Sequence, residues 1–374
     1  MQLKMLMLMG AIGCASAKRP VPKTVKADPI VAETAPNLRV TETPFGPWST
    51  GQGHWPDTAA ISDPQIGWAH QLRGPITHPM TTDGLRIFTT AAGTVYCFNA
   101  DGQILWEAQI NADGSPIPYK DGVYVPTGLG VVQRIDVDTG KITKSFGGKH
   151  PIRIAPFTLG GDLVWIDNIG QMFGAAGKTS IRVPGPIIGA SSDGESALIG
   201  TDDGRLHSLS ADGVVWSLAL TGPMVGHPLI YANQVFVAFL GQHDEPGGMM
   251  AIDKITGTSI WSAPFSHDPI QAPAIGEHLV VANRKPELVA IDRNHGGIRW
   301  RAPGPAQDTI QPAVADDAIY TGDGSGRLRR VDMNDGGTVW KMELGSPITG
   351  EGVVINNRFV VGTADGRIIA VGNP

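Results

Sequence analysis

Two acidic, glycine-bearing segments hold the oxygen ligands a calcium loop would use: Asp136-Val137-Asp138-Thr139-Gly140 and Gly200-Thr201-Asp202-Asp203-Gly204. An EF-hand loop also needs a bidentate Glu downstream, and neither segment has one. Asp and Gly together also make a tight turn, Asp by bonding nearby backbone and Gly by tolerating positive φ. Both segments are read as turns. Histidine meets acid at His243-Asp244-Glu245 and at His267-Asp268, but the two groups stand far apart and lack metal-ligand spacing. A nucleophile elbow needs Gly-x-Ser-x-Gly; in Gly322-Asp323-Gly324-Ser325-Gly326 the serine directly precedes the last glycine. No nucleophile–base pair, metal site or cofactor site is expected. Cys14 and Cys97 are the only cysteines. Cys97 lies in the apolar run Val95-Tyr96-Cys97-Phe98 and is expected to be a buried small hydrophobe.

The elements that carry these residues repeat. An aromatic recurs at Trp68, Trp106, Phe146, Trp216, Trp261, Trp300 and Trp340, at intervals of 38, 40, 70, 45, 39 and 40 residues. The interval of 70 fits two short repeats, the first ending near Val183 without its aromatic. A small-Pro-apolar triplet runs in phase, as in Gly74-Pro75-Ile76, Gly222-Pro223-Met224 and Ser346-Pro347-Ile348. Counting Asp308-Thr309-Ile310 in the same place, the triplets mark eight repeats. Each repeat alternates short apolar strands with turns such as Asp83-Gly84, Asp203-Gly204 and Asp101-Gly102. Asp-Gly pairs favour the turn whose twist matches a two-residue hairpin.

Four hairpin-linked strands in about 40 residues make one propeller blade. The expected fold is all-β: an eight-bladed β-propeller with four-stranded antiparallel blades. The last repeat ends at Pro374 with room for three strands, and Gln65-Ile66-Gly67-Trp68-Ala69-His70-Gln71 reads as an outer strand with nothing before it. This N-terminal strand is expected to complete the last blade, because an open edge would template aggregation. The aromatics are assigned to packing between blades.

Composition agrees. The 374 residues include 49 glycines and 29 prolines, and 17% are charged, which suits many strands and tight turns. With 41% hydrophobic residues the chain is not disordered. A net charge of −6 argues against a nucleic-acid binder, which usually shows a basic stripe. Lys4 and the apolar Met5–Ile12 read as an export signal, too short to span a bilayer. Ala11-Ile12-Gly13-Cys14 resembles the lipobox of bacterial lipoproteins, with Ala11 where that pattern usually has Leu. Ala15-Ser16-Ala17 has the form of an ordinary secretory cleavage site, the alternative for a soluble periplasmic or secreted protein. The Met-rich core stops at Cys14, which favours lipidation there. The expected organisation is a signal peptide over 1–13, a lipidated tether over 14–47 and the propeller over 48–374. Ala15, where an Asp would favour inner-membrane retention, implies an outer-membrane anchor by resemblance.

The run Gly93-Thr94-Val95-Tyr96-Cys97-Phe98-Asn99-Ala100-Asp101-Gly102-Gln103-Ile104-Leu105-Trp106 resembles the PQQ-type propeller repeat, as do Gly326–Asp332 with Gly337–Trp340. The resemblance covers about Trp48 to Pro374. It implies fold more than function, since this propeller hosts enzymes, scaffolds and binding proteins. One implied class is a PQQ-dependent dehydrogenase, with the quinone and a Ca²⁺ in the central channel; the adjacent cysteines many such enzymes carry are missing here. Another is a generic repeat lipoprotein that binds a peptide or glycan. The reading preferred is a non-catalytic envelope scaffold, because an exported, tethered propeller resembles the BamB-type lipoproteins of outer-membrane β-barrel assembly. That implies a monomeric propeller with an envelope protein partner, held to the membrane only by its lipid. The fifth repeat departs from the minimal turn with Gly241–Gly248. Long loops on a rigid scaffold concentrate function. With the inter-blade loops Ser262–Asp268 and Arg301–Asp308 expected on the same face, Gln242, His243, Asp244, Glu245, Phe265, His267 and Arg301 are the candidate partner-binding residues.

Overall fold

The computed structural model describes residues 54–55 and 60–374, apart from 153, 178–180, 243, 266–267, 270, 277, 284–286, 305–309 and 316. The expected signal peptide, the tether and Cys14 lie outside the described residues.

Each blade is built from hairpins. In the Trp106 blade, Thr81–Thr82, Arg86–Ala91, Thr94–Asn99 and Ile104–Gln109 pair in chain order, all antiparallel. The middle strands are buried on both faces, whereas Ile104–Gln109 alternates near its end, with Trp106 and Ala108 buried. An outer strand touches the next blade on one side only, so this pattern is what the ring requires.

Among the described residues, six sheets have this four-stranded antiparallel form and a seventh has it with one further strand on its inner edge, so there are seven such blades, not the eight expected. They are the seven that end in an aromatic. The remaining sheet has three strands, Phe157–Leu159, Asp162–Ile166 and Met172–Gly174. Beyond it, Gln171 and Arg182 form an isolated bridge, and Met172 N–H donates to Ile181 O at 2.9 Å. Ile181 stands four residues after Gly177, the spacing at which tryptophan follows the turn glycine in Gly102–Trp106 and Gly257–Trp261. A half-buried isoleucine anchors less area there than an indole, and no fourth strand is defined among the described residues.

The aromatics interlock the blades. Trp216 Nε1 donates to Lys254 O of the next blade at 2.9 Å, and its ring covers Gly257 at φ +72°. Trp106 on Val137, Trp261 on Arg293 and Trp300 on Met333 repeat the bond at 2.8–2.9 Å. Gly140, Gly296 and Gly336 lie beneath those rings. The acid that opens each of these turns accepts backbone N–H groups: Asp253 Oδ1 takes those of Ile255 and Thr256 at 3.0 and 2.7 Å. The small-Pro-apolar triplet opens the inner strands. Its apolar member enters the core, as with Ile76 and Ile348, and the Pro347 carbonyl accepts Ala364 N–H at 2.8 Å. Proline suits a strand's first position because it has no N–H to offer the ladder.

The two ends of the chain meet in one blade. Gln65–Gln71 pairs antiparallel with Arg367–Gly372, in the order Gln65–Gln71, Arg367–Gly372, Arg358–Thr363, Ile348–Ile355. Its third turn is assembled from both termini. Asn373 Oδ1 accepts the N–H groups of Ser62 and Asp63 at 2.9 and 3.1 Å. Trp340 Nε1 donates to Ile61 O at 2.7 Å, where other blades offer a carbonyl of their own turn. A feature absent from the sequence reading is a short strand, His54–Trp55, that pairs in parallel with Val314–Ala315 on the inner edge of the Trp340 blade.

Candidate functional site

The long loop of the Trp261 blade is an ordered knot. Gln242 and Glu245 exchange both backbone hydrogen bonds at 3.0 Å, with Asp244 at φ +68° on the tip. Asp268 Oδ1 accepts Gly241 N–H at 3.0 Å and pins the base of the loop. Gln242, Asp244 and Glu245 are exposed and presented together. Phe265 is not among them: it is 3% exposed and packs with Leu229, Phe236 and Leu279. Its N–H donates to Gly247 O at 2.8 Å, so the residue read as a contact is a core residue that anchors the loop. Arg301 lies on the next outer strand and is paired with Glu287 at 3.0 Å. His243 and His267 lie outside the described residues.

The inner strands enclose a second candidate, a cavity of about 210 Å³ lined by His78, Asp113, Ile154, Phe157, Gly226 and His227 among others. His78 Nε2 is 4.0 Å from Asp113 Oδ1. Burial holds the His78 imidazole below its ordinary pKa, against the opposing pull of Asp113. Glu351 occupies the innermost strand Ile348–Ile355, where the register breaks between Gly350 and Val353. Its Oε2 is sealed from solvent without a hydrogen-bond partner, and burial pushes the carboxyl up to about 7. Sequence reasoning missed these residues. The available signal was a charge within the inner-strand run Thr349-Gly350-Glu351-Gly352 and an imidazole in Thr77-His78-Pro79, just before the inner strand Thr81–Thr82.

The residues first weighed for chemistry serve the backbone. Asp136 Oδ1 accepts Thr139 N–H at 2.9 Å and its hydroxyl at 2.7 Å. Asp203 Oδ1 accepts the Thr201 hydroxyl at 2.6 Å, and Asp323 accepts Ser325 N–H at 3.0 Å. Cys97 is a buried free thiol, pushed up to about 12 by desolvation, which removes thiolate chemistry near neutral pH. Among the described residues, no three His, Cys, Asp or Glu side chains converge as metal ligands.

Phased antiparallel blades, aromatic-on-glycine locks and the repeat grammar define a β-propeller of the PQQ-like repeat class. The family model described as outer membrane protein assembly factor BamB matches residues 57–151, 153–269 and 245–373, and the chain belongs to that family. It is 25% identical over 299 residues to the outer membrane protein assembly factor BamB of Shewanella oneidensis, a match covering 76% of this chain and 67% of that protein. It is 23% identical over 280 residues to the protein of the same name from Burkholderia pseudomallei, covering 58% and 65%. The crystal structure of BamB from Moraxella catarrhalis superposes with a TM-score of 0.68 at 17% identity, over 83% of this chain and 98% of that one. The computationally designed Ika8 protein gives 0.70 at 14%, over 80% and 97%. At such identities the two structures attest the fold alone.

Proposed function

We propose that this protein is a non-catalytic envelope scaffold that assists outer-membrane β-barrel assembly. It is held on the periplasmic side of the outer membrane by acyl chains on Cys14. The observation that carries this reading is the BamB family match from residue 57 to 373, which takes in every complete blade. The acidic turn residues support it, because their oxygens are occupied by backbone and hydroxyl donors. The partner is assigned to the face around the exposed knot Gln242, Asp244 and Glu245.

The test is affinity purification of the tagged full chain from membranes, with two variants beside it. Wild type should recover outer-membrane assembly proteins. Cys14→Ala should move to the soluble periplasmic fraction, since each buried CH₂ of an acyl chain contributes ~0.8 kcal/mol of anchoring. Replacing residues 242–247 with Asp-Gly should leave the melting temperature unchanged and lower partner recovery. Wild-type protein in the soluble fraction, beginning at Lys18, would refute the anchor. Full partner recovery with the folded loop variant would move the binding surface elsewhere.

A further inference from the structure

Cations over most of this surface are matched to carboxylates, as in Arg134 with Asp121 at 2.7 Å and Arg327 with Glu343 at 2.7 Å. Between Thr139 and Ser192 the pattern breaks. That stretch holds six cations (Lys141, Lys144, Lys149, Arg153, Lys178, Arg182) and two acids (Asp162, Asp167), a net of +4 in a chain of net −6. Lys141, Lys144, Lys149 and Arg182 are exposed and form no ion pair among the described residues. Asp167 does not offset them: it is 2% exposed, and its Oδ1 is engaged by the N–H groups of Ile169 and Gln171.

Two features give this charge a shape. Ile142–Phe146 is the outermost strand of its blade, exposed at every position but the last, and its outer edge pairs with nothing among the described residues. The chain then runs through Gly147 and Gly148 into the wall of a cavity of about 360 Å³, with Lys149 and His150 on the rim and Ile169 and Phe173 as apolar lining. Gln171, on the same wall, is bridged to Arg182. An open edge, a cationic rim and an apolar recess therefore lie side by side. Lysine on an edge strand guards it against neutral or cationic strands. The same guard is attractive to an acidic one.

We propose that this face docks an extended acidic polypeptide segment. Its backbone pairs along Ile142–Phe146, its carboxylates meet Lys144 and Lys149, and one apolar side chain enters the recess over Ile169 and Phe173. An anionic lipid surface would use the lysines but neither the strand edge nor the recess.

The test uses purified protein, so it is independent of the assembly reading. The probe is a fluorescent heptapeptide alternating Glu or Asp with Val around a central Phe, followed by anisotropy. Wild type should bind it, more weakly as salt rises. A Lys144→Glu/Lys149→Glu variant of unchanged melting temperature should bind about tenfold less tightly. Lys341→Glu, at an exposed lysine on the Trp340 blade, should bind as wild type does. Hydrogen exchange should slow over Ile142–Phe146 when the peptide is bound. Equal binding of a Lys-for-acid peptide, or unchanged affinity in the double variant, would overturn the proposal. Protection confined to other strands, or lysine-dependent capture by phosphatidylglycerol vesicles without peptide binding, would overturn it too.

Discussion

Glu351 sits in an environment that opposes its charge. The residue is half-buried, yet its Oε2 is closed off from water and bonded to nothing. Desolvation disfavours the carboxylate and lifts its pKa from 4.5 to about 7. The folded state therefore holds this proton more tightly than the unfolded chain. The stability it contributes is complete below pH 4.5 and is lost as pH rises through about 7. At ~1.4 kcal/mol per unit, the loss is up to roughly 3 kcal/mol. Glu351→Gln should flatten this part of the stability–pH curve and raise the melting temperature at pH 8 relative to wild type. Parallel curves for the two proteins in chemical denaturation between pH 5 and 8 would show that the carboxyl titrates normally.

At five blade ends, Trp68, Trp106, Trp216, Trp261 and Trp300, the indole lies over a turn glycine. The Trp216 ring needs a bare backbone under it, and Gly257 supplies it. A methyl there would stand 2.6 Å from the indole, at φ +72°. Gly257→Ala should cost about 1–3 kcal/mol for overpacking and ~1 more for the left-handed backbone, lowering the melting temperature. Gly297→Ala is the matched control, because that glycine faces open space without positive φ. It should change stability by about 0.5 kcal/mol or less. Equal effects of the two substitutions would remove the aromatic lock from the account of blade packing.

At the scale of the whole molecule, the ring depends on joining the chain's two ends. Gln65–Gln71 supplies an outer strand, Ile61 supplies the acceptor for Trp340, and Asn373 caps the composite turn. Deleting Pro64–Gln71 removes Trp68 and opens the sheet, so unfolding should come earlier by several kcal/mol, a large aromatic alone being worth ~3–5. Asn373→Ala removes two backbone caps and should cost ~1 kcal/mol. Thermal melts that coincide with wild type for both variants would show that the ring closes by other contacts.

The amino-acid sequence by itself settled what is local: the strand–turn grammar, the Asp-Gly hairpins, the aromatics that end blades and the N-terminal strand lent to the C-terminal blade. Period-two burial, positive-φ turns and tryptophan spacing are properties of a few consecutive residues, so they can be read without coordinates. Eight triplets overcounted the four-stranded blades because a triplet marks where an inner strand begins. Whether a sheet gains its outer strand depends on an anchor such as the indole that Ile181 replaces. Only the tertiary structure decided which side chains lost their water. Phe265 looked like a contact residue in an inter-blade loop, but it packs with Phe236 in the core. Nothing local marks Glu351 as desolvated, yet its Oε2 is sealed from solvent. Asn373 caps backbone groups 311 and 310 residues away in the chain. Lys141, Lys144, Lys149 and Arg182 became a patch because folding brought carboxylates to most of the arginines and, among the described residues, none to these four. Desolvation and pairing are set by neighbours distant in the chain, which no local pattern encodes.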